Sequence, residues 1–597
     1  MTHTVTQHSI NTILSWVQGG QVAIPEIQRP FVWNSTKVRD LIDSLYRGYP
    51  VGFLITWNTH DVRLKDGSSP VARQILIDGQ QRVTALTTAL VGLPVVDKNY
   101  ARRRMQIAFN PLEERFETFT PVMRNDPAWI KDVAEMMSPT APLTLVPEYL
   151  AANPGVDQNL TIARIARLLE VKNRQVGVIN LDAALDIETV SEIFVRINSS
   201  GARLTPADFA MSRIASYGER GSRLRKQIDY FSHLAEAPAA ADLLESNDPE
   251  FAASPEFRRI AWLRSDSSDL YDPKYQDILR VAGLVGFHRG RMSAVVSALS
   301  GTDPATKKVR TGLADESFDR LDAALTAFSN EHDFKHFRMV LASAGYTSAG
   351  LLTSTNAVNF AYALYLILRR DRLPHPTIQS IVRRWFVMSM LTGRSSGSFE
   401  TQWELDLRRI DEIGAEAHLD SIERSELSDG FWTEAMPLNM QTSSTRSPFF
   451  TAFLAAQIRD GSTGFLSDSV SVASMLGDTG QGDIHHLFPK AYLTSSGIND
   501  RTLLNQVANY VVTETPVNIR IGELSPSAYM ERVVAQLETE TPDIGAIRSR
   551  EQLDHNFRAN AVPLELAEFG ADRYLEFLEL RRRTMADRVR GFYESLR

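Results

Sequence analysis

The chain has 597 residues, no cysteine and a formal charge of −8. Without cysteine there can be no disulfide, thiolate nucleophile, iron–sulfur cluster or Cys-ligated zinc. Mild acidity excludes coating of nucleic acid through bulk positive charge, while local basic patches stay open. The length predicts several domains. The first residues show no basic segment followed by an apolar run. The longest apolar stretch, Phe360–Leu368, has nine residues, too few for a hydrocarbon core of about 30 Å. The expectation is a cytoplasmic protein with no membrane contact.

Residues 24–57 read IPEIQRPFVWNSTKVRDLIDSLYRGYPVGFLITW. Pro25 and Pro30 keep the backbone extended around Gln28 and Arg29. Asn34 or Ser35 caps a helix with Val38, Leu41, Ile42 and Leu45 on one face, and Gly48 ends it. VGFLITW then reads as a strand. Phe31 and Trp33 can be core aromatics or part of a recognition loop.

In residues 74–93, Ile75, Leu76 and Ile77 form a short apolar strand. Val83, Leu86 and Leu90 lie on one face of the helix that follows. Between them, Asp78-Gly79-Gln80-Gln81-Arg82 makes a strand-to-helix turn, with Gly79 permitting close backbone approach. Such a turn can bind an anion, with Arg82 as a charged donor. It can equally be a helix cap beside a surface Arg.

The two segments in this order resemble the N-terminal domain of GmrSD-like type IV restriction enzymes. That family's fold is related to ParB and sulfiredoxin. The resemblance covers about residues 10–215 and extends to Phe194-Val195-Arg196-Ile197-Asn198. There a helix ends in Ser199-Ser200-Gly201, and a second begins with Thr205 as cap and Pro206 at its first position. The resemblance implies a domain that binds and hydrolyses a nucleoside triphosphate, GTP or ATP. Asp78, Gly79, Gln80, Gln81 and Arg82 would contact phosphate and metal, and Gln28, Arg29, Arg196 and Asn198 would close the pocket. There is no G-x-x-x-x-G-K-[ST] loop, so the chemistry is not of the P-loop kind.

Residues 216–440 are helical in pattern, show no fixed repeat, and read as a helical connector. Arg369, Arg370, Arg372, Arg383 and Arg384 are either phosphate-contacting patches or solvated helix ends.

The sharpest local signal is Gly482-Asp483-Ile484-His485-His486-Leu487-Phe488-Pro489-Lys490. Adjacent histidines on a strand point to opposite faces and are expected to do different jobs. Asn509 follows 23 residues after His486, and Asn518 nine residues later. This ordered set resembles an HNH, or His-Me finger, nuclease. The same restriction enzymes carry such a nuclease at the C-terminus. The resemblance implies His486 as general base, Asn509 as the residue orienting it or its loop, and Asn518 with His485 as ligands of one divalent cation, Mg²⁺ or Mn²⁺. Asp483 is the alternative ligand. The last stretch, Arg581-Arg582-Arg583 with Arg588 and Arg590, reads as a basic helix face, either solvated or on the DNA backbone.

The expected architecture is α+β and mainly helical. It comprises a ParB/sulfiredoxin-like domain (1–215), a helical connector (216–440) and a ββα-metal (HNH) nuclease domain with helical surround (441–597). The expected function is a modification-dependent DNA endonuclease of antiphage defence, with NTP hydrolysis coupled to DNA nicking or cleavage. Family members act on DNA bearing glucosylated hydroxymethylcytosine or phosphorothioate. Pro25, Phe31 and Trp33, with Gln28 and Arg29, are the candidate sensor. The expected partner is modified double-stranded DNA, and homo-oligomerisation is open. The alternative is a nucleotide-regulated binder of modified DNA that does not cut.

Overall fold

Helices make up most of the chain, with small sheets in two places, so the fold is α+β. The computed structural model describes all residues except 1–2, 20, 24–32, 59–73, 97–101, 139, 186–188, 191–192, 194–204, 216, 478–481 and 540. It also leaves out the side chains of 23, 75, 96, 102, 103, 212 and 483. The chain divides into two units, residues 1–265 with 292–322 and residues 266–291 with 323–597. Among the described residues, no helix is long and apolar enough to cross a membrane.

The first unit is built on strands β1 (His3–Ser9), β2 (Val22–Ala23), β3 (Leu54–Asn58), β4 (Gln74–Asp78) and β9 (Gln175–Leu181), in the order β1-β9-β3-β4-β2. Two small hairpins pair β5 (Val95–Val96) with β6 (Arg102–Arg103) and β7 (Ile107–Asn110) with β8 (Arg115–Thr118). In the main sheet β3 runs antiparallel to β4 and parallel to β9, and β1 is antiparallel to β9. The start of β3, the start of β9 and the end of β4 therefore share one end of the sheet.

Helices α1 (Ile10–Gln18), α2 (Ser35–Arg47) and α3 (Gln80–Leu86) supply much of the core. In α2 the sequence pattern is carried out in full. Asn34 Oδ1 accepts from Lys37 N–H at 3.0 Å. Val38, Leu41, Ile42 and Leu45 are buried, and Gly48 ends the helix at φ 77°, where a Cβ would be strained. Thr205 opens helix Pro206–Ala215 in a reciprocal cap, accepting from Asp208 N–H at 3.4 Å while the Asp208 carboxylate accepts from Thr205 N–H at 2.6 Å.

The second unit packs long helices through aromatic side chains. Phe360 stacks on Trp385 at 5.2 Å and meets Trp403 at 5.8 Å. The buried charges of Arg338, Asp406 and Arg384 are neutralised in place, as burial demands. Arg338 forms a two-bonded pair with Asp266. Asp406 binds Arg394 and His418, which hold its carboxyl below the usual range against the opposing effect of burial. Arg384, read from the sequence as either a phosphate contact or a solvated helix end, is neither: it is 3% exposed and bound to Glu423. Burial alone would lower its pKa, but the Glu423 and Asp420 carboxylates outweigh that and raise it. It is a core cation and not a patch residue.

The C-terminal helix Tyr574–Glu594 corrects a second expectation. Arg581 has no exposed surface and Arg582 only 8%. Arg581 donates to the carbonyls of Ala561 (3.1 Å), Ala508 (2.7 Å) and Asn560 (3.2 Å), and burial brings its pKa down to about 9. Arg582 donates to Gln506. Arg583 pairs with Glu579, Arg588 with Asp460, and Arg590 with Asp429 and Glu594. The arginine run stitches the helix to the layer beneath it and carries no continuous basic face.

Candidate functional sites

Asp78 ends β4, and Gly79 turns the chain at φ 95° into α3. A Cβ on Gly79 would stand 2.2 Å from Leu54 Cδ2, so the turn requires glycine for space as well as for conformation. Arg82 reaches back from the first turn of α3. It donates to Asp78 Oδ2 at 2.9 Å and to the Val51 carbonyl at 2.8 Å, clasping the end of β4 to the loop before β3. Gln80 donates to the Leu76 carbonyl at 2.9 Å. The turn has the shape that the sequence predicts, with its cation already engaged. Trp33 is half-buried against the unit's core. Pro25, Gln28, Arg29, Phe31, Arg196 and Asn198 lie outside the described residues.

The second site is a hairpin. Strands β10 (Gly482–His486) and β11 (Tyr510–Glu514) pair antiparallel, with His485 opposite Val511 and His486 opposite Tyr510. Helix Thr515–Ile521, with Pro516 in its first turn and Asn518 at its centre, follows directly and packs on both strands. The order is strand, strand, helix. The far edge of β11 is anchored too, since Phe465 N–H donates to the Val512 carbonyl and Thr513 Oγ1 to the Phe465 carbonyl.

His485 is buried at 6% exposure and His486 is half-buried. The Tyr510 ring stands edge-on to the His486 ring, centroids 5.0 Å apart, and His486 Nε2 lies 3.4 Å from Asn505 Oδ1. Burial, helped by the nearby positive charge of Lys490, pushes the pKa of His486 down to about 4. The imidazole is therefore neutral at physiological pH, the protonation state that a general base needs.

Asn509 holds the loop that follows the histidines. It is fully buried. Its Oδ1 accepts from Phe488 N–H at 2.8 Å, and its Nδ2 donates to the carbonyls of Phe488 (3.0 Å) and Leu504 (3.3 Å). Tyr529, on helix Pro526–Thr539, donates to the Leu487 carbonyl at 3.0 Å. Every one of these contacts fixes backbone, so Asn509 is a positioning residue. Sequence reading missed Asn505 and Tyr510. The strand register alone would have placed Tyr510 across from His486, but Asn505 ends a four-residue helix, Arg501–Leu504, whose fold no pattern announced.

Among the described residues no three or more His, Asp and Glu side chains gather at metal-binding spacing. The available donors are an imidazole on β10 and an amide on the helix packed against it, with Asp483 on the same strand. A set this small fits a hard divalent cation that keeps most of its own water. It does not fit a fully protein-ligated structural metal.

Residues 10–215 match the family described as "GmrSD restriction endonuclease, N-terminal domain". That segment includes the Asp78–Arg82 turn. The match spans about a third of the chain, and over that segment the chain is similar to this domain. No curated protein is significantly similar to the chain.

Proposed function

We propose that the chain is a defence endonuclease that acts on modified double-stranded DNA. In this reading the first unit hydrolyses GTP or ATP, and the β10–β11 hairpin with its helix cuts or nicks the DNA. The observation that carries it is the strand, strand, helix geometry that sets half-buried His486 on a hairpin whose following loop is locked by Asn509 and Tyr529. Phosphodiester hydrolysis needs a base for water and a cation for the developing charge. His486 would take the proton from the attacking water. His485 and Asn518, with Asp483 as alternative, would hold a Mg²⁺ or Mn²⁺ ion, which when bound neutralises charge on the scissile phosphate. The Asp78–Arg82 turn would take the triphosphate, and Pro25, Gln28, Arg29 and Phe31, with Trp33, would sense the modification.

The test is cleavage of plain and modified plasmids by the full chain with Mg²⁺, with and without each NTP. The expected result is cutting that depends on both modification and nucleotide. The sparse donor set favours one second reading, a nucleotide-regulated DNA binder that does not cut. Binding of modified plasmid without any nicking under all conditions would establish that reading instead.

A further inference from the structure

In the second unit, helix Glu331–Ser343 opens with Glu331-His332-Asp333-Phe334-Lys335-His336. The two histidines are four residues apart, so they lie on one face of the helix, one turn above the other. This is the H-x-x-x-H spacing with which a helix grips a metal ion between two imidazoles. The rings stand close to the geometry that this requires. Their planes are 9° from parallel and their centroids 5.9 Å apart. Two imidazoles that share a cation at ~2.1 Å from each nitrogen hold their centroids roughly 5 Å apart. A small turn of the exposed His332 ring closes the difference.

The half-buried His336 ring is held in the form that a metal ion needs. Tyr365, fully buried on helix Thr355–Arg370, donates its hydroxyl proton to Asp333 Oδ1 at 3.3 Å. Its oxygen is then an acceptor for His336 Nδ1, 3.1 Å away. The ring proton therefore sits on Nδ1, and Nε2 keeps a bare lone pair. Asp333 is fixed in turn by Arg369 Nε at 3.1 Å. Such a chain behind a ligand sets its tautomer and orientation. Burial lowers the pKa of His336, helped by the charges of His375, His332 and Arg369, which keeps the ring unprotonated. A third imidazole, His375, has its centroid 5.4 Å from that of His336. Its Nε2 accepts from Arg369 at 2.9 Å, so its proton is on Nδ1 and neither nitrogen is open to an ion.

We infer that His332 and His336 form a two-imidazole site for a borderline divalent cation of the zinc class, with water completing its coordination. Two donors are consistent with the absence, among the described residues, of any larger ligand cluster. Neutral imidazole suits Zn²⁺, Ni²⁺ and Cu²⁺, whereas Mg²⁺ seeks oxygen. The nearby carboxylates are engaged elsewhere, Asp333 with Tyr365 and Arg369, and Glu331 with Lys335 at 2.7 Å. Asp333 stands where the H-E-x-x-H pattern carries its general base, but its ties to Tyr365 and Arg369 make it a support for His336. The site binds an ion and does not activate water. A bound ion clips together the first two turns of the helix and, through Tyr365, ties them to helix Thr355–Arg370. The inference does not rest on the nuclease reading.

The chain holds 12 histidines, so the test is a difference between variants. The untagged full chain is titrated with Zn²⁺ by calorimetry, with Mg²⁺ as the control. His332→Ala and His336→Gln should each lose one equivalent of Zn²⁺ relative to wild type, and His375→Gln should lose none. Tyr365→Phe should keep the stoichiometry and weaken this site by about tenfold or more, as the loss of a group that orients a ligand does. His332 is exposed, so His332→Ala is expected to melt as wild type does when metal is absent. Its plasmid nicking should also match wild type, which keeps a failure here distinct from a failure of the nuclease reading. Wild-type stoichiometry and affinity in His332→Ala, or no Zn²⁺ bound by wild type, overturns the inference. A loss in His375→Gln equal to that in His332→Ala overturns the two-imidazole assignment.

Discussion

The Asp78–Arg82 turn and the His485–His486 hairpin are both strand ends that present polar residues, but they divide labour differently. In the turn one residue does two jobs. Arg82, the expected phosphate ligand, also clasps β4 to the loop before β3 through Asp78 and Val51. In the hairpin the jobs are separate. Asn509, Tyr529 and Arg581 hold backbone and are fully buried, while His486 is left half-open, with a long contact to Asn505 and the Tyr510 ring edge-on to it. A loss of function at Arg82 is therefore ambiguous between chemistry and fold, whereas one at His486 is not. Sites that separate scaffold from chemistry hold geometry without using the reactive group to do it.

The largest expected effect on stability is at the scaffold of the hairpin. Arg581→Met leaves three buried carbonyls without a donor and should destabilise the second unit by about 3–5 kcal/mol, read by denaturant unfolding. A change below 1 kcal/mol would mean that the carbonyls find other partners.

The next effect is in the pH dependence of stability. The unfolded chain protonates His486 near 6.5 and the folded chain only near about 4. As pH falls between these values the unfolded state binds the extra proton, so stability declines, by up to roughly 3 kcal/mol. His486→Gln should flatten that part of the curve. An unchanged acid limb would show that His486 is not held neutral by the fold.

Smaller again is Gly79→Ala, which places a methyl against Leu54 at a positive φ and should cost about 2 kcal/mol, with loss of any NTP turnover. Intact turnover would remove the turn from the site. The smallest effect is at Arg583, whose pairing with Glu579 is exposed. Arg583→Ala should change stability by no more than about 0.5 kcal/mol. If it nonetheless abolished DNA binding, the basic-face reading of this helix would return for that residue alone.

Local pattern made much of this legible. Asn34 and Gly48 bound a helix as their types predict, the Ile75–Ile77 strand leads into Gly79, and the histidines lie on a strand. These features rest on caps, periodicity and glycine conformation, which act within a few residues. Contacts distant in sequence were not legible. Arg581, in a run that reads as a surface patch, is drawn inside by carbonyls of Ala508, Asn560 and Ala561. Gly48 and Phe53 meet Arg174 and Gly177 across more than a hundred residues, through the β3–β9 pairing. No periodicity encodes such a meeting.

The central claim is that the β10–β11 hairpin is a nuclease centre with His486 as its base. The most direct measurement is the nicking rate of His486→Ala on modified plasmid with Mg²⁺, beside its NTP hydrolysis. The account predicts nicking lower by roughly 10²–10⁴-fold with phosphate release from NTP unchanged. Nicking at the wild-type rate would contradict it.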